Sequence, residues 1–371
     1  MKTRRHLPLI KPDVRFDDVA EDFLSILESG QLTSGGFVTA FERAVADYVG
    51  VEHGIAVTSA TTALHLALVV SGIGPGDDVL ISDFTFPATA NVVLQQGARP
   101  VLVDSLADGF EIDPEDVERR CTDATRAIIA VDPFGQPADH MALERFAAAR
   151  DLTLIADAAC SLGASRDGRR AGAHGDVGCF SFHPRKTITC GEGGMLTTND
   201  GELARRARSL RSHGAELTAS GIVFTEPGFN YRLSELQAAL GMSQMRRIDE
   251  ILADRRRTCQ LYQNLLSPDC DTVLIPRRPV GAVWSYQSFV VVLADEVDRT
   301  LVIETMGALG IETTIGTYAC HQHPAFQSGV GAPLPNSARF ARQALTLPVL
   351  PQMPESEVTR VVEALRKTVG S

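Results

Sequence analysis

Clustered positive charge, long apolar runs and paired cysteines are all missing from this 371-residue chain. Its formal charge is −11, from 35 basic and 46 acidic residues, and the basic residues are scattered. No stretch offers the electrostatic footprint that DNA, RNA or an anionic membrane requires, so a small-molecule partner is expected, with no nucleic acid and no membrane. The longest apolar runs, such as Phe289 to Ala294, fall far short of the ~20 residues that cross a bilayer. Met1 to Lys11 carries basic residues but neither an apolar core nor a small-residue cleavage site, and a cytoplasmic location is the expectation. Cysteines stand at 121, 160, 179, 190, 259, 270 and 320 without a CxxC pair, which argues against a disulfide framework or a zinc knuckle. Reduced, mostly buried thiols are expected. Internal repeats and low-complexity tracts are absent too.

With 44% apolar and 22% charged residues the chain has enough apolar material for a substantial core, so disorder is excluded and two domains are expected. Apolar, β-branched runs at Ile55 to Thr58, Asp78 to Ile81, Pro100 to Val103, Ala127 to Val131, Thr153 to Ala156 and Val177 to Phe182 alternate with helical patterns. That alternation predicts an α/β fold, a mostly parallel sheet covered by helices on both faces. Thr61 to Ser71 reads as a helix with Gly72 as its C-cap candidate. Tyr231 to Arg256 reads as helical, and the proline-punctuated stretch Ser267 to Gly281 breaks the pattern. A strand at Ser288 to Leu293, a helix at Val297 to Leu309 and a last helix near Glu355 to Thr368 suggest a smaller α+β domain. The expected division is 1–250 and 251–371, with residues 1–20 free to pack on the smaller unit.

Chemistry concentrates in Phe180 to Gly194, FSFHPRKTITCGEGG, where a strand ends and Lys186 stands in a loop of Ser, His, Thr and Gly. A lysine attacks carbonyls to form Schiff bases when burial or cationic neighbours favour its neutral amine, and Arg185 and His183 are placed to help. The glycines at 191, 193 and 194 would let backbone approach a flat ring, although GEGG also suits a plain hairpin turn. Asp157 follows the apolar strand TLIA, at the strand end where open α/β sheets bind ligands; a helix N-cap is the plain alternative. Thr58 to Thr62, TSATT, lies between a strand and a helix start, where free N–H groups and the helix dipole favour an anion, as they also favour an ordinary cap. In DFTFPAT, Asp83 to Thr89, Phe86 offers a flat apolar surface for a ring, with core packing as the alternative. Gly72 to Gly76 follows a helix, not a strand, and so is not a dinucleotide loop.

These segments, in this order, resemble the DegT/DnrJ/EryC1/StrS family of sugar aminotransferases, pyridoxal-phosphate enzymes of the aspartate aminotransferase-like fold, type I. The likeness is carried by GGFVTAFERAVADYVG (35 to 50), GIGPGDDVLISDFTFPATAN (72 to 91), GARPVLVD (97 to 104), IADAAC (155 to 160), FSFHPRKTITCGEGG (180 to 194) and GFNYRLSELQAALG (228 to 241). It implies a seven-stranded type of sheet and pyridoxal 5′-phosphate on Lys186, with Asp157 paired to the ring nitrogen. It further implies phosphate contacts at Ser59, Ala60, Thr61 and Ser181, a ring stacked on Phe86, and Asn230 reaching across from a second subunit in a homodimer with shared active sites. His183 is expected to line the site. Two departures stand out: Ala60 replaces the usual glycine, and Cys160 replaces the glutamine or histidine three residues after the aspartate. A related branch, the sugar 3-dehydratases, carries histidine at the lysine position; lysine here favours amino transfer.

The resemblance therefore implies amino transfer from an amino acid, glutamate foremost, to a keto sugar attached to a nucleotide, in amino-sugar biosynthesis. Arg232, Tyr318 and His321 are the candidate substrate contacts. His321 and His323 alternate as metal ligands can, but no acidic or cysteine partner stands at matching spacing, and no metal is expected. A keto-cyclitol or other non-nucleotide ketone as acceptor, and a non-catalytic cofactor-binding regulator, are the competing readings.

Overall fold

The computed structural model describes residues 6–266, 271–329 and 331–370. Cys270, the first five residues of the N-terminal segment and the start of the expected boundary stretch lie outside them. Seven strands form the central sheet in the order His53–Val57, Gly194–Thr198, Val177–Ser181, Thr153–Asp157, Thr125–Val131, Asp78–Ser82 and Arg99–Val103. Gly194–Thr198 pairs antiparallel with both its neighbours and every other pairing is parallel, so six strands run one way and one runs back. The six expected strands are all present. The reversed strand was not foreseen.

Alternation along these strands sends successive side chains to opposite faces. Val79, Ile81, Ala127, Ile129, Ile155 and Leu196 face one side, against Leu64, Ala67 and Leu68 of helix Ala60–Val70 and the helices Ala88–Gln95 and Gly201–Leu210. Leu80, Ile128, Ala130 and Leu154 face the other, under Val117 and Leu143. Phe180 and Met195 pack there on Phe41, Val45, Ala238 and Leu252. Side chains of this kind contribute about 1.5–3 kcal/mol each on full burial, so the two-faced core is the main stabilising term. Among the described residues no helix is long and apolar enough to cross a membrane.

A second, antiparallel sheet runs Val273–Leu274, Phe289–Leu293, Ala344–Leu347, Thr314–Ile315. Helices Ile248–Leu266, Arg299–Ala308 and Glu355–Val369 cover one of its faces, and Leu7 joins that core while bridging to Ile311. Its other face meets the large sheet through four phenylalanines, 84, 110, 134 and 340, with Val290 and Val292. Their ring centroids lie 4.9 to 6.1 Å apart. Edge-on and tilted pairs of this kind add about 0.5–1.5 kcal/mol each beyond area burial, which ties the small sheet to the carboxyl edge of the large one.

Local expectations meet two corrections. Helix Ala60–Val70 starts at a capping box, with the Ser59 hydroxyl accepting from the Thr62 N–H, and ends where Gly72 adopts a left-handed φ of 73°. The expected helix Tyr231 to Arg256 is in fact two, Glu235–Met245 and Ile248–Leu266. Tyr231 to Leu233 are not helical because Ser234 is the N-cap, closing a second capping box with Gln237, while Arg232 bridges to Val57. The break falls where the Arg247 guanidinium turns to Asp13 at 3.0 Å and Asp18 at 2.9 Å. The six described cysteines are free, four of them buried.

One glycine couples this fold to the site. Gly194 stands opposite Ser181 on one side and Val57 on the other, and a Cβ there would land on the Ser59 carbonyl and the Ala60 nitrogen. Only a residue without a side chain lets helix Ala60–Val70 begin that close to the sheet. Gly194→Ala should therefore lower the unfolding free energy by about 1–3 kcal/mol in urea titration. Gly74→Ala, in open space, should leave it unchanged or raise it by at most about 1 kcal/mol; equal losses would contradict the packing argument.

Candidate active site

Six parallel strands place their carboxyl ends along one edge, and a cleft of about 500 Å³ opens there. Ser59, Ala60, Thr61, Phe86, Asp157, Cys160, Ser181, His183 and Lys186 all line it. Nine of the expected site residues, spread over 128 positions of sequence (from 59 to 186), thus share one cavity.

Asp157 ends its strand at the floor, 4% exposed. Its carboxylate accepts the Thr89 hydroxyl at 2.8 Å and the Ala159 N–H at 3.2 Å. Among the described residues it forms no ion pair. Burial raises its pKa, and the two hydrogen bonds and the more distant Lys186 only partly offset that. An aspartate held this way calls for a cation in the cleft. The N-cap alternative is set aside, since the chain after Asp157 forms turns and no helix.

Lys186 rides a loop, residues 182–193, joining two antiparallel strands, and the loop is pinned from several sides. The Phe182 N–H donates to Gly193 at 2.8 Å and the Thr189 hydroxyl to the Phe182 carbonyl at 2.9 Å. Gln244 takes the Thr189 N–H at 3.0 Å and donates to the Thr189 carbonyl at 2.5 Å. Gln287 donates to the Arg185 carbonyl at 2.6 Å and Gln237 to the Glu192 carbonyl at 2.8 Å. Within this frame the Lys186 Nζ donates to Cys160 Sγ at 3.0 Å. His183 Nδ1 accepts the Arg185 N–H at 3.2 Å, leaving Nε2 to carry the proton 3.9 Å from Glu192. Burial lowers the His183 pKa, so the imidazole is neutral at physiological pH.

The TSATT segment divides its work. Thr58 and Thr62 hydroxyls lie 3.2 Å apart, and the Thr62 hydroxyl accepts the Ser59 N–H and donates to the Ser59 carbonyl, so this part is committed to the cap. Ala60 and Thr61 open the helix into the cleft, and the first N–H groups of a helix have no partner within it. Ser181, at the end of the neighbouring strand, faces the same space. Phe86 is 65% exposed, so its ring is a cleft wall and not core, whereas Phe84, two residues earlier, is buried.

Four expected residues do not line the cleft. Asn230 is exposed and bridges to Ser212, and Arg232 donates to the Ser212 hydroxyl at 3.2 Å. Tyr318 pairs with Thr85, its ring 6.3 Å from Phe86 at the rim. The His321 ring is held by the buried Asp83 at 2.6 Å, which raises its pKa, and its N–H donates to the same carboxylate. Among the described residues no cluster arranged to hold a metal ion occurs, and His323 packs on Tyr318. Sequence reasoning missed Thr89, although it closes the DFTFPAT motif. It also missed Leu9, Ile10, Gln287 and Thr346, which enter the cleft from remote segments.

A family model described as the DegT/DnrJ/EryC1/StrS aminotransferase family matches residues 16–366. The chain is 38% identical to GDP-perosamine synthase of Caulobacter vibrioides over 355 residues, covering 95% of each protein. Among solved structures, DesV of S. venezuelae superposes with a TM-score of 0.92 at 31% identity, covering 99% of both chains. DesI, solved in the presence of its TDP-sugar product, gives 0.91 at 31% identity, over 98% of this chain and 93% of that one.

The Asp157 environment has a pH consequence. Its folded-state pKa lies above the unfolded value, so folding favours the protonated form, and stability falls as pH rises through the window above the ordinary carboxylate value of about 4. In the cofactor-free chain Asp157→Asn should raise the thermal midpoint at about pH 8 and lose that advantage toward about pH 4. A difference independent of pH would contradict the assignment.

Proposed function

Because the chain belongs to the DegT/DnrJ/EryC1/StrS aminotransferase family and is a sugar aminotransferase, we propose that it transfers an amino group from L-glutamate to a keto sugar carried by a nucleoside diphosphate, using pyridoxal 5′-phosphate. The observation that carries this reading is the presence, in one cleft, of Lys186 and a buried carboxylate, Asp157, that forms no ion pair among the described residues. When bound, pyridoxal phosphate supplies a carbonyl for amines and an electron sink beside the carbon that loses or gains a proton.

Each residue has a part that follows from its surroundings. Lys186 anchors the cofactor through Nζ and, once released, holds and returns the proton at that atom. Asp157 would hold the protonated ring nitrogen, and that positive charge would remove the cost of its own burial. The Ala60 and Thr61 N–H groups at the helix start, with Ser59 and Ser181, hold the phosphate. Ala60 serves as glycine would, since the contact is through backbone. Phe86, exposed in the cleft, would pack on the ring. Cys160 and His183 border Lys186, and the neutral His183 lets a substrate pass without a fixed charge. Asn230, which is exposed, and Arg232, which is half-buried, stand outside this chain's own cleft, and we place them at the site of a second copy, in a homodimer with shared active sites. Tyr318 belongs to the rim that receives the sugar, and His321 acts by fixing that rim to Asp83.

The nucleotide handle is supported by relatives whose names specify GDP-perosamine and a TDP-sugar product. A cleft of about 500 Å³ suits a ligand larger than an amino acid, within the roughly 300–1,000 Å³ usual for small-molecule sites. We also propose a division near residue 250, a large unit holding the cofactor and a small one closing over it. Helix Ile248–Leu266 joins them, with Ile251 and Leu252 in one core and Tyr262 and Leu266 in the other.

L-Glutamate added to the cofactor-loaded protein should shift the cofactor's absorbance and release 2-oxoglutarate, and Lys186→Ala should slow this at least about 100-fold. The aminated form should then discharge onto nucleotide-linked keto sugars in preference to keto-cyclitols. An absorbance unmoved by any amino donor would point to a non-catalytic carrier, and preference for a free ketone would overturn the nucleotide assignment.

A further inference from the structure

Cys160 occupies a position where its thiol meets the one lysine amine that lines the cleft among the described residues. Its Sγ lies 3.0 Å from Lys186 Nζ, and both residues line the cleft. Both backbones are fixed: the Cys160 carbonyl accepts the Ser285 hydroxyl at 3.3 Å, the Ser161 N–H bonds Ala158 at 3.0 Å, and the Lys186 N–H bonds His183 at 2.9 Å. Only the flexible lysine stem and the thiol have to move, and reacting atoms about 3–3.5 Å apart are in near-attack range.

Chemistry singles out this thiol. Cys179, Cys190, Cys259 and Cys320 are buried, and burial pushes their thiols up, that of Cys320 to about 12, which holds them protonated and inert. Cys121 is partly exposed like Cys160, but its Sγ faces the Thr122 carbonyl at 3.9 Å. Among the described cysteines, Cys160 alone combines access from the cleft with an amine at contact distance.

We propose that Cys160 and Lys186 form a peroxide-driven covalent switch that closes the cofactor-free site. A peroxide ROOH oxidises the Cys160 thiol by two electrons to the sulfenic acid; its O–O bond breaks and ROH leaves. The Lys186 lone pair then attacks the sulfur. The S–O bond breaks, the hydroxide departs with an amine proton as water, and an S–N bond joins the two residues. In total the chain loses two hydrogen atoms. The link withholds Nζ from any carbonyl, shields Cys160 from irreversible over-oxidation, and is reversed by two thiols: the first attacks the sulfur, breaks the S–N bond and releases the protonated amine, leaving Cys160 in a mixed disulfide, and the second displaces that disulfide and restores the Cys160 thiol. A bound cofactor engages Nζ and prevents the link; this last consequence rests on the reading of Lys186 as the cofactor lysine.

The test is peptide mapping by mass spectrometry after hydrogen peroxide treatment of the full chain, with and without bound pyridoxal phosphate. Without the cofactor, the peptides bearing Cys160 and Lys186 should appear joined, two hydrogens lighter than their sum, and should separate in dithiothreitol. Cys160→Ser should abolish the link, and Cys121→Ser should leave it. Bound cofactor should suppress it. Cys160 found as sulfinic acid beside an unmodified Lys186, or Lys186 joined to Cys121 in equal yield, would overturn the proposal. A link formed equally with and without pyridoxal phosphate would uphold the switch and count against Lys186 as the cofactor lysine.

Discussion

A carboxylate at the end of a central strand, buried with two hydrogen bonds and no ion pair among the described residues, sets the terms for everything around it. Asp157 is costly where it stands, and the fold offers it Thr89 and the Ala159 N–H, which do not cancel the cost. A positively charged ring nitrogen in the cleft above would. Destabilisation of the empty site is thus the counterpart of affinity for the filled one, since whatever binds the native state alone stabilises it by mass action.

The same economy governs Lys186. Its loop is irregular backbone beside a cavity, which would fray if it depended on its own hydrogen bonds. Gln237 and Gln244, both on helix Glu235–Met245, and Gln287, just before strand Phe289–Leu293, instead reach it, and each satisfies a backbone group. The side chain at the loop's centre stays free to move while its Cα does not. Gly194 performs a related service for the helix start at Ala60, where absence of a Cβ brings free N–H groups to the carboxyl edge next to Ser181.

Much of this could be read from sequence because the chemistry lies in contiguous motifs at strand ends. A strand period followed by DAAC, TSATT or FSFHPRK places the functional side chain at the carboxyl edge regardless of the rest of the fold. Strand Gly194–Thr198 escaped notice because its glycine-rich approach reads as a turn and its five residues show no strong alternation. Thr89, Gln244 and Gln287 escaped for another reason. Their partners are 68, 55 and 102 residues away, and nothing local marks a side chain for a contact at that range. The continuous helix expected at Tyr231 to Arg256 failed on a local signal that was present, the cap at Ser234, and on one that was not, the carboxylates of Asp13 and Asp18 waiting for Arg247.

The sequence holds four lysines, at 2, 11, 186 and 367, which makes the central claim open to a direct chemical trap. The protein is incubated with pyridoxal phosphate, reduced with borohydride, digested, and its lysine-bearing peptides are weighed. A phosphopyridoxyl group is expected on Lys186 alone, and on none of the four after Asp157→Asn when the cofactor is kept dilute. Stoichiometric labelling at Lys11 or Lys367 with Lys186 unmodified would contradict it.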